Sequence, residues 1–216
     1  GKFLGLLTPF ALLTGLVSLT MLITHGAAWL SLKSEGAVAA RARRYGTVTG
    51  LLTIAGYVLA GLWLALGIEG YAIVGEVITD GPSNPLYSDV ARSASWLVSY
   101  AERPWIAVAP VMGLAGMVMA VRGLRAGREV STLLWSKMGI FGAISGVGLT
   151  MFPFILPSSI DPRSSLTVWD SSSSHQTLFT MLVVTAIFMP LILMYTAWVY
   201  KVLWGKVTED DVAGPG

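Results

Sequence analysis

The sequence predicts an all-α fold: a polytopic membrane helix bundle of about five transmembrane helices, N-terminus outside and C-terminus in the cytoplasm. Three observations predict it. Of 216 residues, 54% are hydrophobic and only 12% charged, about half the charged fraction of a soluble domain, and the mean hydropathy is +0.70. Five uncharged stretches reach or approach the roughly 20 residues that cross about 30 Å of hydrocarbon. The connections between them alternate between basic and acidic. The net charge of +2 comes from few charged residues and gives no reason to expect a nucleic-acid partner. With no cysteine, thiolate metal sites and a Cys nucleophile are excluded.

The first predicted helix runs from Pro9 to Leu32, with Thr8 as N-cap and Pro9 at the first helical position. The second runs from Tyr45 to Ile68. The third, Pro104 to Val121, is the shortest and carries Pro110 in its first two turns. The fourth covers Met138 to Leu156, with Lys137 able to extend its ammonium to the interface. The fifth covers Leu178 to Tyr200; Pro190 in its middle removes the hydrogen bond to the carbonyl of Ala186 and predicts a kink. Ser173, with Gln176 three residues on, has capping-box spacing before this helix. The whole chain, residues 1–216, is expected to form a single transmembrane domain. It opens Gly-Lys-Phe without Met directly into an apolar run, and is expected to be part of a longer polypeptide.

Charge sets the predicted orientation. Lys33, Arg41, Arg43 and Arg44 face one acid, Glu35, between helices one and two. Arg122, Arg125, Arg128 and Lys137 face Glu129 between helices three and four, and Lys201 and Lys206 follow helix five before Glu209, Asp210 and Asp211. The other connections are acidic: Glu69, Glu76, Asp80, Asp89 and Glu102 against Arg92 and Arg103, then Asp161 and Asp170 against Arg163. The positive-inside rule puts the basic connections in the cytoplasm. The long acidic segment holds a turn cluster, Gly-Pro-Ser-Asn-Pro at 81–85, and a short amphipathic piece around Val90 to Tyr100.

The chemistry-bearing residues are few. The five predicted cores contain no Asp, Glu, Lys or Arg, and His25 is the only side chain in them that titrates near neutrality, so a proton relay or voltage sensor is not indicated. Imidazole is a common haem ligand, but His25 lies about 24 Å below the outer end of its helix while His175 opens the fifth. The pair cannot grip one iron; each reads better as a packed or helix-end residue. Gly142 with Gly146, Gly56 with Ala60, and Ala109 with Gly113 have the small-xxx-small spacing of close helix packing. Trp105, Trp135, Trp169, Trp198, Tyr200 and Trp204 suit an interfacial belt. Trp169 and Asp170, beside Arg163 and a serine cluster, read as a structural corner in which Asp170 caps the last helix or pairs with Arg163.

The segment Pro157-Ser158-Ser159-Ile160-Asp161-Pro162-Arg163-Ser164-Ser165-Leu166-Thr167-Val168-Trp169-Asp170, followed by Ser172-Ser173-Ser174, resembles the signature loop of subunit II of cytochrome bd quinol oxidase. Tyr195-Thr196-Ala197-Trp198, Phe10 to Gly15, Thr24-His25-Gly26-Ala27, Gly70-Tyr71 and Asn84-Pro85-Leu86 resemble the same family, in order along the chain. The Leu-Thr-x-Trp-Asp loop, with Arg163, Trp169 and Asp170, is the most specific part. The resemblance is to the C-terminal five-helix part of that subunit.

It implies a non-haem subunit of a respiratory terminal oxidase that oxidises quinol and reduces dioxygen to water, in a bacterial or archaeal plasma membrane. Haem b558, haem b595 and haem d are expected on the partner, subunit I. A small accessory subunit, membrane lipids and quinone are further expected partners. The role implied for this chain is support of assembly and haem stability. The family often carries Gln near the positions of His25 and His175, and its proton-path acids lie mainly in the N-terminal half. No catalytic, cofactor-binding or metal-binding residue is therefore assigned. Half of a small-solute transporter is the alternative; it would have broken helices meeting around a polar cavity near the midplane.

Overall fold

A computed structural model describes residues 5, 7–75, 84, 89–93 and 95–208. The 81–85 turn cluster apart from Asn84, together with Glu76, Asp80, Leu86 and the acids at 209–211, lies outside the described residues. In chain order the elements are α1 (Pro9–Lys33), α2 (Gly36–Gly67), β1 (Gly70–Ile73), β2 (Val90–Ser93), α3 (Val98–Glu102), a 3₁₀ turn (Pro104–Ala107), α4 (Val108–Ala126), α5 (Glu129–Met151), β3 (Phe154–Leu156), a 3₁₀ turn (Pro162–Ser164), β4 (Leu166–Thr167) and α6 (His175–Val202). Among the described residues, five helices are long and apolar enough to cross a membrane: α1, α2, the 3₁₀ turn running into α4, α5 and α6. The fold is all-α, and the strands among the described residues form two short pairs.

The helices begin and end where local chemistry, not hydropathy, dictates. Thr8 caps α1 by accepting from the amide of Ala11 at 3.2 Å, with Pro9 in the first turn, as the sequence predicts. Helix α2 starts at Gly36, nine residues before the predicted Tyr45. Arg41, Arg43 and Arg44 end a hydropathy window, yet arginine is a good helix former, so they lie within the helix. For the same reason α5 starts at Glu129 instead of Met138. It stops at Met151 because Pro153 cannot continue it, and Phe154 to Leu156 pair antiparallel with β4 instead. Helix α4 ends at Gly127, whose φ of +68° is readily available only to glycine; the amide of Arg128 then returns to the carbonyl of Gly123 at 2.9 Å. That cap allows a two-residue link to α5. Helix α6 runs from His175 through Pro190 to Val202, and its cap is Ser174, one residue beyond the predicted Ser173. The amide of Thr177 donates to the Ser174 hydroxyl at 3.4 Å.

The chain divides into two compact units. The first comprises Gly1–Gly70, Ala94–Met151 and Lys206–Gly216. In it α1 pairs with α2, α4 with α5, and the two hairpins meet along α2 with α4 and α1 with α5. Its core is built of small residues: Ala28, Ala120, Gly113, Gly116, Gly139 and Gly142 are buried. A bundle without a hydrophobic driving force against lipid gains its contacts by such close backbone approach. The second unit comprises Tyr71–Ser93 and Phe152–Gly205. It contains the two strand pairs, the Ser-rich loop and α6, none of whose residues is buried.

Candidate functional site

The second unit builds the signature loop from backbone turns held by short polar side chains. Asp161 caps the 3₁₀ turn, its Oδ1 accepting from the amide of Arg163 at 3.1 Å. The fully buried Ser165 hydroxyl accepts from the amide of Ser158 at 2.9 Å, closing the loop on itself. Asp170 is also buried, and its Oδ2 accepts from both the amide and the hydroxyl of the buried Thr167. Ser171 returns its hydroxyl to the Thr167 carbonyl at 2.7 Å. The Trp169 ring meets Phe152 edge-on, centroids 5.8 Å apart.

Arg163 is exposed and sits 3.5 Å from Asp89, which places it beside a different acid from the Asp170 the sequence suggested. Nor is Asp170 the cap of α6, a role that Ser174 fills. Arg92 donates to the carbonyl of Ser159 at 3.2 Å and Tyr71 to that of Ser158 at 3.0 Å, so the strand pair and the loop are stitched together. Two of the donors to the Asp170 carboxylate thus come from Thr167 of its own loop.

The first unit carries its polar groups on interhelical seams. Thr53 of α2 donates to Thr20 of α1 at 2.9 Å, and Thr24 meets Thr49 at 2.9 Å. The Ser136 hydroxyl of α5 donates to the Leu133 carbonyl at 2.9 Å and lies 2.8 Å from Nδ1 of His25 on α1. Either atom can carry the shared proton, according to the imidazole's tautomer. His25 thus ties α1 to α5. Sequence reasoning expected a packed, hydrogen-bonded imidazole there, but missed the threonine rungs. Their signal was present: Thr20 and Thr24 on α1, and Thr49 and Thr53 on α2, are i, i+4 pairs that each mark one helix face.

At the end of the same unit, Glu129 joins two cations that the sequence did not connect. Its Oε1 accepts from Arg43 at 3.1 Å, and its Oε2 lies 2.8 Å from Lys206. The segment after α6 is held there by the amide of Val207, which donates to the carbonyl of Lys33 at 2.8 Å. Among the described residues, no group of three His, Asp or Glu side chains is placed to hold a metal ion.

Comparison with known proteins places this geometry. The sequence profile described as "Cytochrome bd terminal oxidase subunit II" matches residues 1–203. The chain is 36% identical over 213 residues to "Cytochrome bd-I ubiquinol oxidase subunit 2" of Escherichia coli (strain K12), covering 98% of this chain and 56% of that protein. It is equally similar to "Probable cytochrome oxidase subunit 2" of Haemophilus influenzae, at 36% identity over the same share of each. The chain therefore spans a little more than half the length of the curated relatives it matches. With five helices of spanning length and bacterial relatives, it is a multi-pass protein of the bacterial plasma membrane. The chain belongs to the cytochrome bd terminal oxidase subunit II family.

Proposed function

We propose that this chain works as the non-haem subunit of a respiratory terminal oxidase that oxidises quinol and reduces dioxygen to water. The observation that carries the reading is the family match over residues 1–203. In this reading haem b558, haem b595 and haem d sit on a partner, subunit I, and supply the electron transfer and oxygen chemistry. This chain's own residues pack, orient and exclude water. The interior supports that division: the Thr20–Thr53 and Thr24–Thr49 rungs and the His25–Ser136 bond are neutral contacts that fix helix register. His25 commits its Nδ1 to a bond with another helix, the work of a bridge between helices.

The five helices act as one transmembrane domain, N-terminus outside and C-terminus in the cytoplasm, because Arg41, Arg43, Arg44, Arg122, Arg125 and Arg128 gather at the ends that this orientation puts inside. Arg163, Trp169 and Asp170 belong to a structural corner on the outer side and support assembly and haem retention, with no catalytic part.

The test is a reduced-minus-oxidised spectrum of the purified complex and of this chain separated from it. The haem bands are expected to follow the partner, and haem retained by this chain alone overturns the assignment. Protease or thiol-label accessibility of a cysteine introduced at Ser172, in intact cells, tests the orientation: labelling from outside is expected, and labelling only after lysis reverses it.

A further inference from the structure

Two cations in the first unit compete for one carboxylate. Glu129 opens α5, Arg43 stands in the second turn of α2, and Lys206 belongs to the segment that follows Gly205. The Lys206 ammonium spans the carboxylate, 2.9 Å from Oε1 and 2.8 Å from Oε2. Arg43 reaches it at a single point, Nη2 donating to Oε1 at 3.1 Å. The Nε–H of the same guanidinium is buried and has no hydrogen-bond partner among the described residues.

A guanidinium holds a carboxylate best through two parallel bonds along one edge. Glu129 Oε1 already lies on Nη2, the nitrogen that shares an edge with Nε–H. The other oxygen is drawn onto Lys206, and a buried N–H left without an acceptor costs free energy. The segment that carries Lys206 is itself lightly fastened. The amide of Val207 donates to the Lys33 carbonyl at 2.8 Å, and Val207 forms an isolated bridge with Ser34. Gly205, just before it, has φ +135°, a swivel open to glycine alone.

We propose that Lys206 and Val207 form a strap held by a two-position latch, with Glu129 as its moving part. With the strap docked, the carboxylate is turned to Lys206 and Arg43 Nε goes unbonded. With the strap released, the same carboxylate rotates onto Arg43 and closes the Nε/Nη2 fork. Release loses a part-exposed ion pair and gains a buried hydrogen bond, two terms of similar size. The strap therefore opens locally while the helices stay folded. Salt favours opening, because it screens the part-exposed Lys206 pair more than the buried bond. Release also takes Lys206 out of the wall of a polar cavity that it shares with Ser34, Glu35 and Arg43. A rigid three-way cluster would grow stronger with each cation, whereas a contested carboxylate makes Arg43 work against the strap.

The experiment is hydrogen exchange at the Val207 amide, read by mass spectrometry on the chain in the complex it purifies with, at low and high salt. Arg43→Lys keeps the charge but has no two-point edge, so the released state loses its fork. Exchange at Val207 should then slow by about two- to tenfold, the worth of one buried hydrogen bond. In a Lys206→Gln background Glu129 is free for Arg43 whether the strap is docked or released, so adding Arg43→Lys should leave the rate unchanged. Lys206→Gln alone should speed exchange and abolish its rise with salt. An unchanged or faster rate in Arg43→Lys, or equal slowing with and without Lys206, overturns the proposal. Lys206→Gln alters a part-exposed side chain and decides the matter where Arg43→Lys fails to assemble: an unchanged rate, or a salt response that persists, overturns the proposal by itself.

Discussion

Replacing Gly142 with Ala adds one methyl group at the tightest helix crossing in the first unit. The new Cβ would lie 2.3 Å from the backbone nitrogen of Gly113, 2.8 Å from its Cα and 2.8 Å from the carbonyl oxygen of Ala109. Ordinary contact begins at 3.4 Å, so α4 and α5 must separate locally by about 1 Å, the difference between those two figures. The obstructing atoms are backbone, so no side chain can swing away. Overpacking of this kind costs about 1–3 kcal/mol, and rigid neighbours put it at the upper end. The gain in helix propensity from Gly to Ala, about 1 kcal/mol, offsets part of it, leaving a net loss of about 1–2 kcal/mol. Gly148 on the same helix is the control, because a Cβ there meets nothing within 4 Å. Gly148→Ala should be neutral or slightly stabilising. Unfolding of the purified complex in detergent, followed by far-UV circular dichroism against added dodecyl sulfate, should rank Gly148→Ala at or above wild type and Gly142→Ala clearly below. If Gly142→Ala unfolds together with wild type, the close crossing of α4 and α5 is wrong.

Asp170→Ala strands the amide and hydroxyl of Thr167 inside the loop, at about 1–3 kcal/mol. The yield of haem-loaded complex should fall while turnover per haem holds; collapse of turnover at full haem content would assign Asp170 to the chemistry. Arg163→Ala, by contrast, removes a 3.5 Å pair between side chains 77% and 65% exposed, and should change stability by less than about 0.5 kcal/mol. Ser136→Ala takes away the hydroxyl partner of His25 Nδ1 and should cost about 0.6 kcal/mol, at most about 1.7; nitrogen NMR of the imidazole should then show a shifted Nδ1 resonance, and an unchanged one would refute the bond. Glu129→Gln weakens contacts to two half-exposed cations, together worth about 1 kcal/mol. Hydrogen exchange at the Val207 amide should accelerate about fivefold, and unchanged protection would show that the backbone bond to Lys33 holds the segment without help.

What the sequence made legible, and what it hid, follows from the cost of polar groups away from water. A charged side chain at mid-membrane is expensive, so the chain keeps its spans free of charge, and the existence of each helix could be read from that gap alone. Helix starts could not, because a window that counts charge stops at Arg44 and Lys137 while the backbone goes on coiling to Gly36 and Glu129. The signature loop was legible as a corner, but the partners within it were not. Arg163 and Asp170 are close in sequence, yet the first sits beside Asp89, 74 residues before it, and the second takes donors from Thr167. The hub at Glu129 was hidden for the same reason, since Lys206 lies 77 residues away and no local pattern announces such a pairing.

The threonine rungs are the instructive miss. A search for function in a membrane chain looks for ionisable groups, whereas this interior is wired with hydroxyls that first satisfy their own helix, as Thr24 does by donating to the Thr20 carbonyl at 2.8 Å. A hydroxyl so placed costs little in hydrocarbon and still has a lone pair to offer the next helix. Paired threonines at i, i+4 on two successive helices are therefore a register signal that hydropathy cannot see. The same economy explains why an ionic cluster of the first unit, Arg43 with Glu129 and Lys206, stands at the helix ends, where water can still reach it.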